Sequence, residues 1–598
     1  MTVSIDRSRP RLRVANCSGF YGDRLAAARE MVEGGPIDVL TGDYLAELTL
    51  SILAKDRKRD PSLGYAKTFL LQLREIAAPC LERGIKIVVN AGGLNPAGCA
   101  EACRQIYRET GLDAKVAHIE GDDLLPRLEE LRAGGEALAH LDHGRPLSDL
   151  QAPILGANAY LGAWGITAAL ERGADLVICP RVTDASLVVG PAAWSFEWGR
   201  EDWNRLASAV VAGHVLECGA QATGGNYAFF REVQGLEHPG FPLVEIEESG
   251  DFTVTKHPGT GGEVSIGTVT AQLLYEIDSP RYWNPDVTAR FDTIRLRSDG
   301  PDRVRVEGVV GEPPPKTTKV CLNHLGGFRN QVTFLLTGLD VEAKTELVEK
   351  TLWAQLGGAE SFAETRVRLH RVEEREDPEA QEPPFSFLTV AVKDPNPKKV
   401  GRRFSGAAVE MALASYPGFN LTAPPGRETP VAVYWPTRVA SGKVDHRLII
   451  DGEVIPISPT LGVDSNPLPS IPGAEAMESG DAELAPLGTL CGARSGDKGG
   501  HANLGVWAIS DEAYTWLEGF LTADRLRDLI PGARDLKIDR YPLPNLRSIN
   551  FVLRSYLGDG VAASLATDAQ AKGLGEFLRA CKVPLPRDLL TDGEVQEH

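Results

Sequence analysis

The sequence contains no apolar run approaching the roughly 20 residues that a membrane-spanning helix needs, which argues against insertion in a bilayer. Its start, Met1 to Pro10, is polar, carries Arg7 and Arg9, and holds no apolar stretch of the secretory kind. The end, Val595-Gln596-Glu597-His598, is not a peroxisomal tripeptide. Excess positive charge is missing too: 63 basic residues face 82 acidic ones, a formal net charge of -19. Nucleic acid is a dense line of negative charge, so it is disfavoured as a general partner. A polybasic contact with a membrane is disfavoured for the same reason. Paired-cysteine spacing is also absent. Nine cysteines (Cys17, Cys80, Cys99, Cys103, Cys179, Cys218, Cys321, Cys491 and Cys581) are scattered, odd in number and never spaced CxxC. Several lie in or beside apolar runs, as Cys179 does after Leu176-Val177-Ile178, where a thiol behaves as a small hydrophobe. Together these absences point to a reducing, cytoplasmic setting.

Several chemical signatures are missing as well. There is no G-x-x-x-x-G-K-[ST] phosphate loop and no G-x-S-x-G nucleophile elbow. Gly19 and Gly22, with Asp43 about 20 residues further on, are spaced wrongly for the G-x-G-x-x-G fingerprint. Asp23 would also set a negative charge where a pyrophosphate should meet a helix N-terminus. No nicotinamide or other cofactor is therefore expected. His140-Leu141-Asp142-His143 has HxxH spacing but lacks a third ligand at a useful distance. It reads as a solvated loop, and no metal is expected. Cys17, just before the first turn, reads as a buried structural thiol rather than a nucleophile.

What is present is the material of a large folded protein. At 598 residues, with 43% hydrophobic and 24% charged residues, the chain exceeds the size at which one core keeps growing. Two or three domains are expected. Up to Gly190, short apolar strands alternate with amphipathic helices. Strands are expected at 13–16, 37–40, 85–89, 114–119 and 176–179. Helices are expected at 24–33, along the face formed by Phe69, Leu73, Ile76 and Cys80, around Cys99 and Cys103, and at 159–171. This alternation predicts an α/β fold, Rossmann-like, with a mostly parallel sheet layered between helices. Residues 251–292 are turn-rich and β-like, and the acidic, proline-containing stretch 373–384 reads as a solvated loop. The clearest break lies at 462–486, rich in Pro, Ser, Gly and acids. Beyond it, strands at 487–491, 503–509, 536–541 and 548–554 and helices at 512–521, 523–529 and 569–581 predict a small α+β unit.

Ligands of an open α/β sheet bind beyond the carboxyl ends of its strands, and here those ends are polar. The first is followed by Ser18-Gly19-Phe20-Tyr21-Gly22-Asp23, the second by Asp43 and Tyr44. The third leads to Asn90, Gly92 and Gly93, and a later one to Arg181, Thr183 and Asp184. If the sheet forms as expected, these groups share one rim. Asp23, Asp43 and Asp184 would then serve proton transfer, and Arg181 would hold an anion. Gly19, Tyr44, Asn90, Gly92, Gly93 and Thr183 would contact substrate. Taken singly, Asp23 and Asp43 read equally well as helix caps. Two glycine-rich stretches, 219–227 and 257–263, read as turns, with an anion nest as the alternative. The densest polar cluster is Arg494-Ser495-Gly496-Asp497-Lys498-Gly499-Gly500-His501. As a loop between two apolar strands it offers Arg494, Ser495 and Lys498 to a phosphate or carboxylate. The competing reading is a self-satisfied loop, with Asp497 paired to Arg494 or Lys498.

At these same residues the chain resembles the acyclic terpene utilisation (AtuA-like) family. The resemblance rests on GFYGD (19–23), GDYLAE (42–47), VNAGGLNP (89–96) and ICPRVTDASLVVGP (178–191). TGGNY (223–227), HPGTGGEVSIGTVTAQLLYEI (257–277) and ARSGDKGGHANLG (493–505) continue it in the same order. It implies an N-terminal α/β domain over 11–458, a linker over 459–484 and a small ferredoxin-like α+β domain over 485–590. It also implies a part in acyl-CoA catabolism of acyclic terpenoids or branched acids, alongside acyl-CoA carboxylase and hydratase chemistry. It supplies no established catalytic residues. The resulting expectation is an enzyme acting on a branched acyl-CoA or its free acid by acid/base chemistry of the lyase or hydratase type. Its partner would be a small-molecule substrate, a CoA thioester among the candidates, with homo-oligomerisation allowed. The alternative is a non-catalytic accessory or scaffolding subunit of an acyl-CoA carboxylase pathway.

Overall fold

A computed structural model describes residues 10–372, 385–473 and 481–591. The chain begins with β1 (Arg11–Asn16), α1 (Ala27–Glu33), β2 (Val39–Gly42), α2 (Glu47–Arg59) and α3 (Lys67–Arg83). Next come β3 (Lys86–Val89), α4 (Pro96–Glu109), β4 (Val116–Glu120), α5 (Leu128–Ala133) and β5 (Ile154–Ala159). Then follow α6 (Trp164–Glu171), β6 (Leu176–Ile178), α7 (Ser186–Phe196) and α8 (Trp203–Leu216). Strands β1, β2, β3, β6 and β4 lie side by side in that order and run parallel. Val14, Val39, Val88 and Val177 turn to one face of this sheet, under α6, α7 and α8. Ala15, Leu40, Ile87 and Ile178 turn to the other, under α1, α3 and α4. Burial on both faces is why these strands read as unbroken apolar runs. Each such Val, Leu or Ile contributes about 1.5–3 kcal/mol.

From β3 the chain skips one place to reach β4, then returns through β5 and α6 to fill the gap with β6. The loop after β3 therefore leads to α4 on one face, and the loop after β6 leads to α7 on the other. Loops that diverge in this way leave a crevice between them.

The sheet is parallel only at this centre, which corrects the expectation of a mostly parallel one. Antiparallel strands extend it to eleven. Beyond β1 lie β7 (Pro242–Glu247), β8 (Phe252–Lys256), Val304–Glu307 and Arg295–Ser298; beyond β4 lie Arg447–Ile450 and Glu453–Pro456. Short connections such as that between β7 and β8 join antiparallel neighbours, whereas a parallel pair needs a long crossover. A second, six-stranded antiparallel sheet, unforeseen from the sequence, is centred on one 20-residue strand, Thr317–Leu336. It pairs with Ser386–Asp394, Asn420–Leu421, Thr429–Ala440 and β5. Thus β5 ties the sheets together, following β4 of the first and setting Ala159 opposite Val320 of the second. The expected helix at 159–171 is corrected accordingly. Ala159 closes β5, the Asp286 carboxylate accepts the Ala163 N–H at 2.6 Å, and only then does α6 begin. The β-like region 251–292 also contains a helix, α9 (Ile266–Leu273), started by a Ser265–Thr268 capping box.

The small C-terminal sheet is antiparallel, in the order Cys491–Lys498, His501–Ala508, Ser548–Leu553, Ile538–Leu543. From His501 onward the elements run β-α-α-β-β-α-β, the ferredoxin-like order with its first helix in two pieces, Asp511–Phe520 and Ala523–Leu529. Its last strand, Lys582–Pro586, pairs with Ala482–Pro486 instead of joining the four. Three expectations are corrected here. Leu487–Thr489 is a 3-10 turn preceding the strand, and the last helix is confined to Leu574–Ala580. The cluster 494–501 is no loop. It is the end of one strand, a tight Gly499-Gly500 turn and the start of the next, with Lys498 opposite His501. Gly499, at a φ of +64°, adopts the left-handed conformation that such a turn demands. The stretch 373–384, read as a solvated loop, lies outside the described residues, as do 474–480 of the expected linker. Among the described residues, no helix is long and apolar enough to cross a membrane.

The small sheet docks on 276–294 of the large domain through polar side chains aimed at the main chain. Asn503 Oδ1 accepts the Glu276 N–H at 2.7 Å, and Asn550 Nδ2 donates to the Asp278 carbonyl at 2.6 Å. Arg554 forks onto the Asp278 carboxylate at 2.9 and 3.1 Å. Asn545 Nδ2 donates to the carbonyls of Phe291 and Ile294, both at 2.9 Å.

Packing at the crevice is tight enough to test. A methyl group at Gly92 would stand 2.6 Å from the Cys179 carbonyl oxygen and 2.9 Å from Pro96 Cα. Gly92→Ala should therefore cost about 1–3 kcal/mol of stability. Gly406 lies in the helix Phe404–Glu410 with nothing within 4 Å of an added methyl, so Gly406→Ala should stabilise by up to about 1 kcal/mol. Urea melts of both variants measure this. A neutral Gly92→Ala would disprove the close approach of the two loops.

Candidate functional site

Four adjacent parallel strands, β1, β2, β3 and β6, end on the same edge of the sheet, so the residues after them are neighbours whatever their separation in sequence. Asp43, after β2, is buried. Asn90, after β3, donates Nδ2 to Asp43 Oδ1 at 2.6 Å and accepts the Tyr44 N–H at 2.7 Å. Arg181, after β6, is also buried and donates to both oxygens of Asp184, at 2.6 and 3.3 Å. Its guanidinium rests 4.1 Å from the centre of the Tyr160 ring. The fork of Arg181 is thus occupied by Asp184. Asp122, after β4, accepts Asn158 Nδ2 at 2.7 Å and the Arg181 N–H at 3.3 Å, fixing the turn that carries Arg181.

Other elements complete the surroundings. Glu47, in the first turn of α2, accepts the Tyr160 hydroxyl at 2.8 Å and Lys319 Nζ at 3.3 Å. Lys319 comes from the long strand of the second sheet and also lies 4.9 Å from the Tyr160 ring and 5.6 Å from the Tyr434 ring. At the end of α8, His214 Nδ1 stands 3.0 Å from Glu217 Oε1. His214 Nε2, Glu217 Oε2 and the Tyr434 hydroxyl are buried with no partner among the described residues. Lys498, at the end of its strand in the small sheet, donates to the Glu276 carbonyl and lies 5.8 Å from the Tyr282 ring. Glu47 keeps 35% of its side-chain surface accessible. Glu217, Glu276 and Lys498 are likewise only half-buried. These partly accessible charged groups act on one another electrostatically and together outline a hollow at the crevice.

Enclosure splits the carboxyl groups into two kinds. Burial pushes Asp43 well above the ordinary carboxylate range, the neighbouring Asp184 pushes the same way, and Arg181 and Asn90 oppose. Glu217 is raised by burial, then by Asp184 and Glu276. Glu276 is raised by burial against the pull of Lys498. Glu47 goes the other way. Burial would raise it, but Lys319 and Arg181 bring it down to about 2. Burial lowers Lys498, and Lys319 lowers it further. Burial and Lys498 together bring His214 down to about 4. Asp497 is pushed up to about 7 by burial and by Glu276.

The residues singled out from sequence divide clearly. Asp43, Asn90, Arg181 and Asp184 come together, and Lys498 joins them electrostatically through Glu217 and Glu276. The others are engaged elsewhere. Asp23 accepts the N–H groups of Gly19 at 2.8 Å and Arg24 at 2.7 Å, stitching its own turn. Gly19 lies so close to Cys218 that an added methyl would meet its carbonyl carbon at 2.7 Å. Tyr44 is in the apolar layer beside Phe69, its hydroxyl bonded to Gln72. Gly92 and Gly93 pack the turn after β3, and the Thr183 hydroxyl pairs with Ser186 at 2.6 Å. Arg494 donates to the Asn226 carbonyl at 3.0 Å and to Gln221, with Tyr275 beneath it at 4.6 Å. Ser495 turns into the small domain, toward Lys572 and Gly575. Among the described residues, no ion pair joins Asp497 to Arg494 or Lys498. His140 and His143 stack at 3.7 Å against Trp435, and Asp142 meets His501 Nε2 at 3.0 Å.

Glu47, Lys319, Glu217, Glu276 and His214 were missed. One signal could have found most of them: an ionisable residue set inside an otherwise apolar run, as in Val215-Leu216-Glu217-Cys218 or Leu274-Tyr275-Glu276-Ile277.

Residues 12–450 match a family model described as acyclic terpene utilisation family protein AtuA. Residues 485–584 match one described as the AtuA ferredoxin-like domain. No curated protein and no solved structure matches the chain.

Asp122 gives the enclosed rim a pH signature. Burial pushes its carboxyl from 3.8 up to about 7, against the Asn158 hydrogen bond. The folded state thus keeps a proton that the unfolded chain releases over that interval. Stability from this position is greatest below about pH 4 and declines as the pH rises toward 7. Asp122→Asn should remove that decline, so its melting temperature relative to the native chain should climb by a few degrees from about pH 5 to pH 8. Parallel pH profiles would refute this.

Proposed function

The chain belongs to the acyclic terpene utilisation (AtuA) family, and from that premise we propose that its hollow performs acid/base chemistry on a branched acyl-CoA or the free acid. The observation that carries the reading is the Asp43–Asp184 pair beside Arg181. Two carboxylates in one enclosed site cannot both ionise cheaply, and it is Asp43 that is held toward its protonated form. Here Asp184 is the member held by an arginine, at 2.6 Å, and Asp43 is the member raised by burial and by Asp184. That division supplies an acid and a base without any redox step.

In hydration of an unsaturated thioester, Asp184 takes a proton from water as the new C–O bond forms at the β-carbon. Asp43 gives its proton to the α-carbon, and the reverse sequence eliminates water. Lys319, fixed by Glu47 and Tyr160, is placed to meet the negative charge that develops on the thioester or carboxylate oxygen. Arg181 orients the base rather than the substrate. Asp23, tied to its own turn, has no part in the scheme.

The test uses the full chain with branched 2-enoyl and 3-hydroxyacyl thioesters and their acids in deuterated water. Ligands that bind should raise the melting temperature, and those that turn over should gain deuterium at the α-carbon, read by mass spectrometry. Asp43→Asn should slow that exchange by about 10²–10⁴-fold while leaving binding and fold intact. Binding without exchange in the native chain would overturn the enzyme reading and leave the accessory subunit. Full exchange in Asp43→Asn would remove Asp43 from it.

A further inference from the structure

We infer that Lys498 is a covalent binding site for a ketone or aldehyde carbonyl, its amine condensing with the substrate to form an imine inside the hollow. This rests on the reading of the hollow as the place of reaction, and it adds carbonyl compounds such as branched 3-oxo acids to the substrates that the hollow would take.

The position differs from those of the buried lysines Lys86 and Lys256; Lys498 itself is half-buried. Lys86 is 8% exposed and meets Asp175 at 2.8 Å; Lys256 is 5% exposed and meets Asp302 at 2.9 Å. Both carry their charge into the interior with a carboxylate in direct contact. Lys498 does not. Its hydrogen bond goes to the main-chain carbonyl of Glu276, the Tyr282 ring lies beside it, and no carboxylate is within ion-pair distance among the described residues. A second amine, Lys319, disfavours a second positive charge here and adds to the effect of burial, while Glu276, Asp278 and Glu47 act the other way. An enclosed lysine next to another cation is a recurrent way to keep an amine free and nucleophilic. The strand places it there. Residues 494, 496 and 498 share one face, and a side chain at Gly496 would strike the Tyr275 ring at 2.4 Å, so only glycine lets the strand lie close enough for Lys498 to reach in.

Two carboxyl groups that feel the charge of the amine could serve the condensation. Glu217 and Glu276 are enclosed carboxyls that burial holds toward their protonated forms. The Lys498 nitrogen attacks the carbonyl carbon, a C–N bond forms, and the oxygen becomes a hydroxyl. A proton from Glu217 converts that hydroxyl to water as the C–O bond breaks, and the proton left on nitrogen returns to the carboxylate. Two amine hydrogens and one carbonyl oxygen thus leave as one water, and no oxidant or reductant takes part. Reprotonated on nitrogen by the same carboxyl, the imine draws electrons from the adjoining C–C bond, which suits cleavage or decarboxylation of a 3-oxo acid.

The full-length protein is incubated with acetoacetate or 4-methyl-2-pentanone and sodium borohydride, which reduces an imine to a stable amine, and peptides are mapped by mass spectrometry. The expected result is one adduct per chain, on Lys498, in the native protein. Lys498→Arg should lose it while retaining the native melting temperature. Adducts spread over exposed lysines with Lys498 unmodified would overturn the proposal without reference to any variant, as would undiminished labelling of a folded Lys498→Arg. Absence of the adduct, with Asp43-dependent deuterium exchange intact, would defeat the imine and leave the acid/base reading standing. An adduct on Lys498 with exchange indifferent to Asp43→Asn would do the reverse.

Discussion

Docking of the small sheet onto the segment that begins at Glu276 is the interaction on which the rest depends. The contacts that fasten it are directed: Asn503 and Asn550 bond to the main chain of 276 and 278, and Arg554 clasps Asp278. Asn503 and Asn550 are themselves fully buried and joined to one another at 2.5 Å. A buried amide without partners is costly, so this register is the one in which the two asparagines are satisfied. Once it is set, Lys498 is set with it, since it lies in the strand adjacent to the one carrying Asn503. The same docking fastens the main chain of Glu276, whose N–H Asn503 accepts, beside the Lys498 that acts on its carboxyl.

The parallel strands were legible because burial on both faces writes them as apolar runs with polar ends. That alone brought Asp43, Asn90, Arg181 and Asp184 to one edge. The second sheet was not legible for the opposite reason. Its central strand, Thr317–Leu336, holds Lys319, Asn323, His324, Gly326, Gly327, Arg329 and Asn330, and no two-residue alternation survives such a list. It holds together through long-range pairing with the strands at 386–394 and 429–440, which are far away in sequence. Lys319 could not be placed in a site until that pairing was known. Arg494 and Ser495 failed differently. Read as a loop, all their side chains could converge; as a strand, consecutive residues point to opposite faces. Alternation sends Ser495 into the small domain and leaves Arg494 and Lys498 facing the large one.

Asp23 and Asp43 make an instructive pair, because the sequence treats them alike. Each follows a glycine, Asp43 at the end of β2 and Asp23 in the turn beyond β1, and each reads as a cap. What separates them is the source of the hydrogen-bond donors. Asp23 takes both from its own turn, the N–H groups of Gly19 and Arg24. Asp43 takes one from Leu45, two residues on, and one from Asn90, a side chain delivered by the next strand. A carboxylate satisfied locally is a structural element, whereas one held by a neighbouring strand is held in relation to the crevice between them. No local pattern could tell these apart, since the deciding residue is 47 positions away.

The arrangement also explains why the charges in the hollow differ so sharply in state over short distances. Glu47 is shallow enough to keep 35% of its side-chain surface and has Lys319 in contact, so its charge is compensated twice, by solvent and by an amine. Asp43 has neither. Its nearest cation, Arg181, is already committed to Asp184, and a guanidinium whose two terminal nitrogens face one carboxylate gives a second carboxylate little. Arg181 is therefore engaged by Asp184, and Asp43 is left with burial as the main influence on its carboxyl. The difference between the two aspartates thus begins with position, Asp43 being 5% exposed and the Asp184 side chain 27%. The buried turn after β6, pinned by Asp122, holds Arg181 on the Asp184 side of that divide.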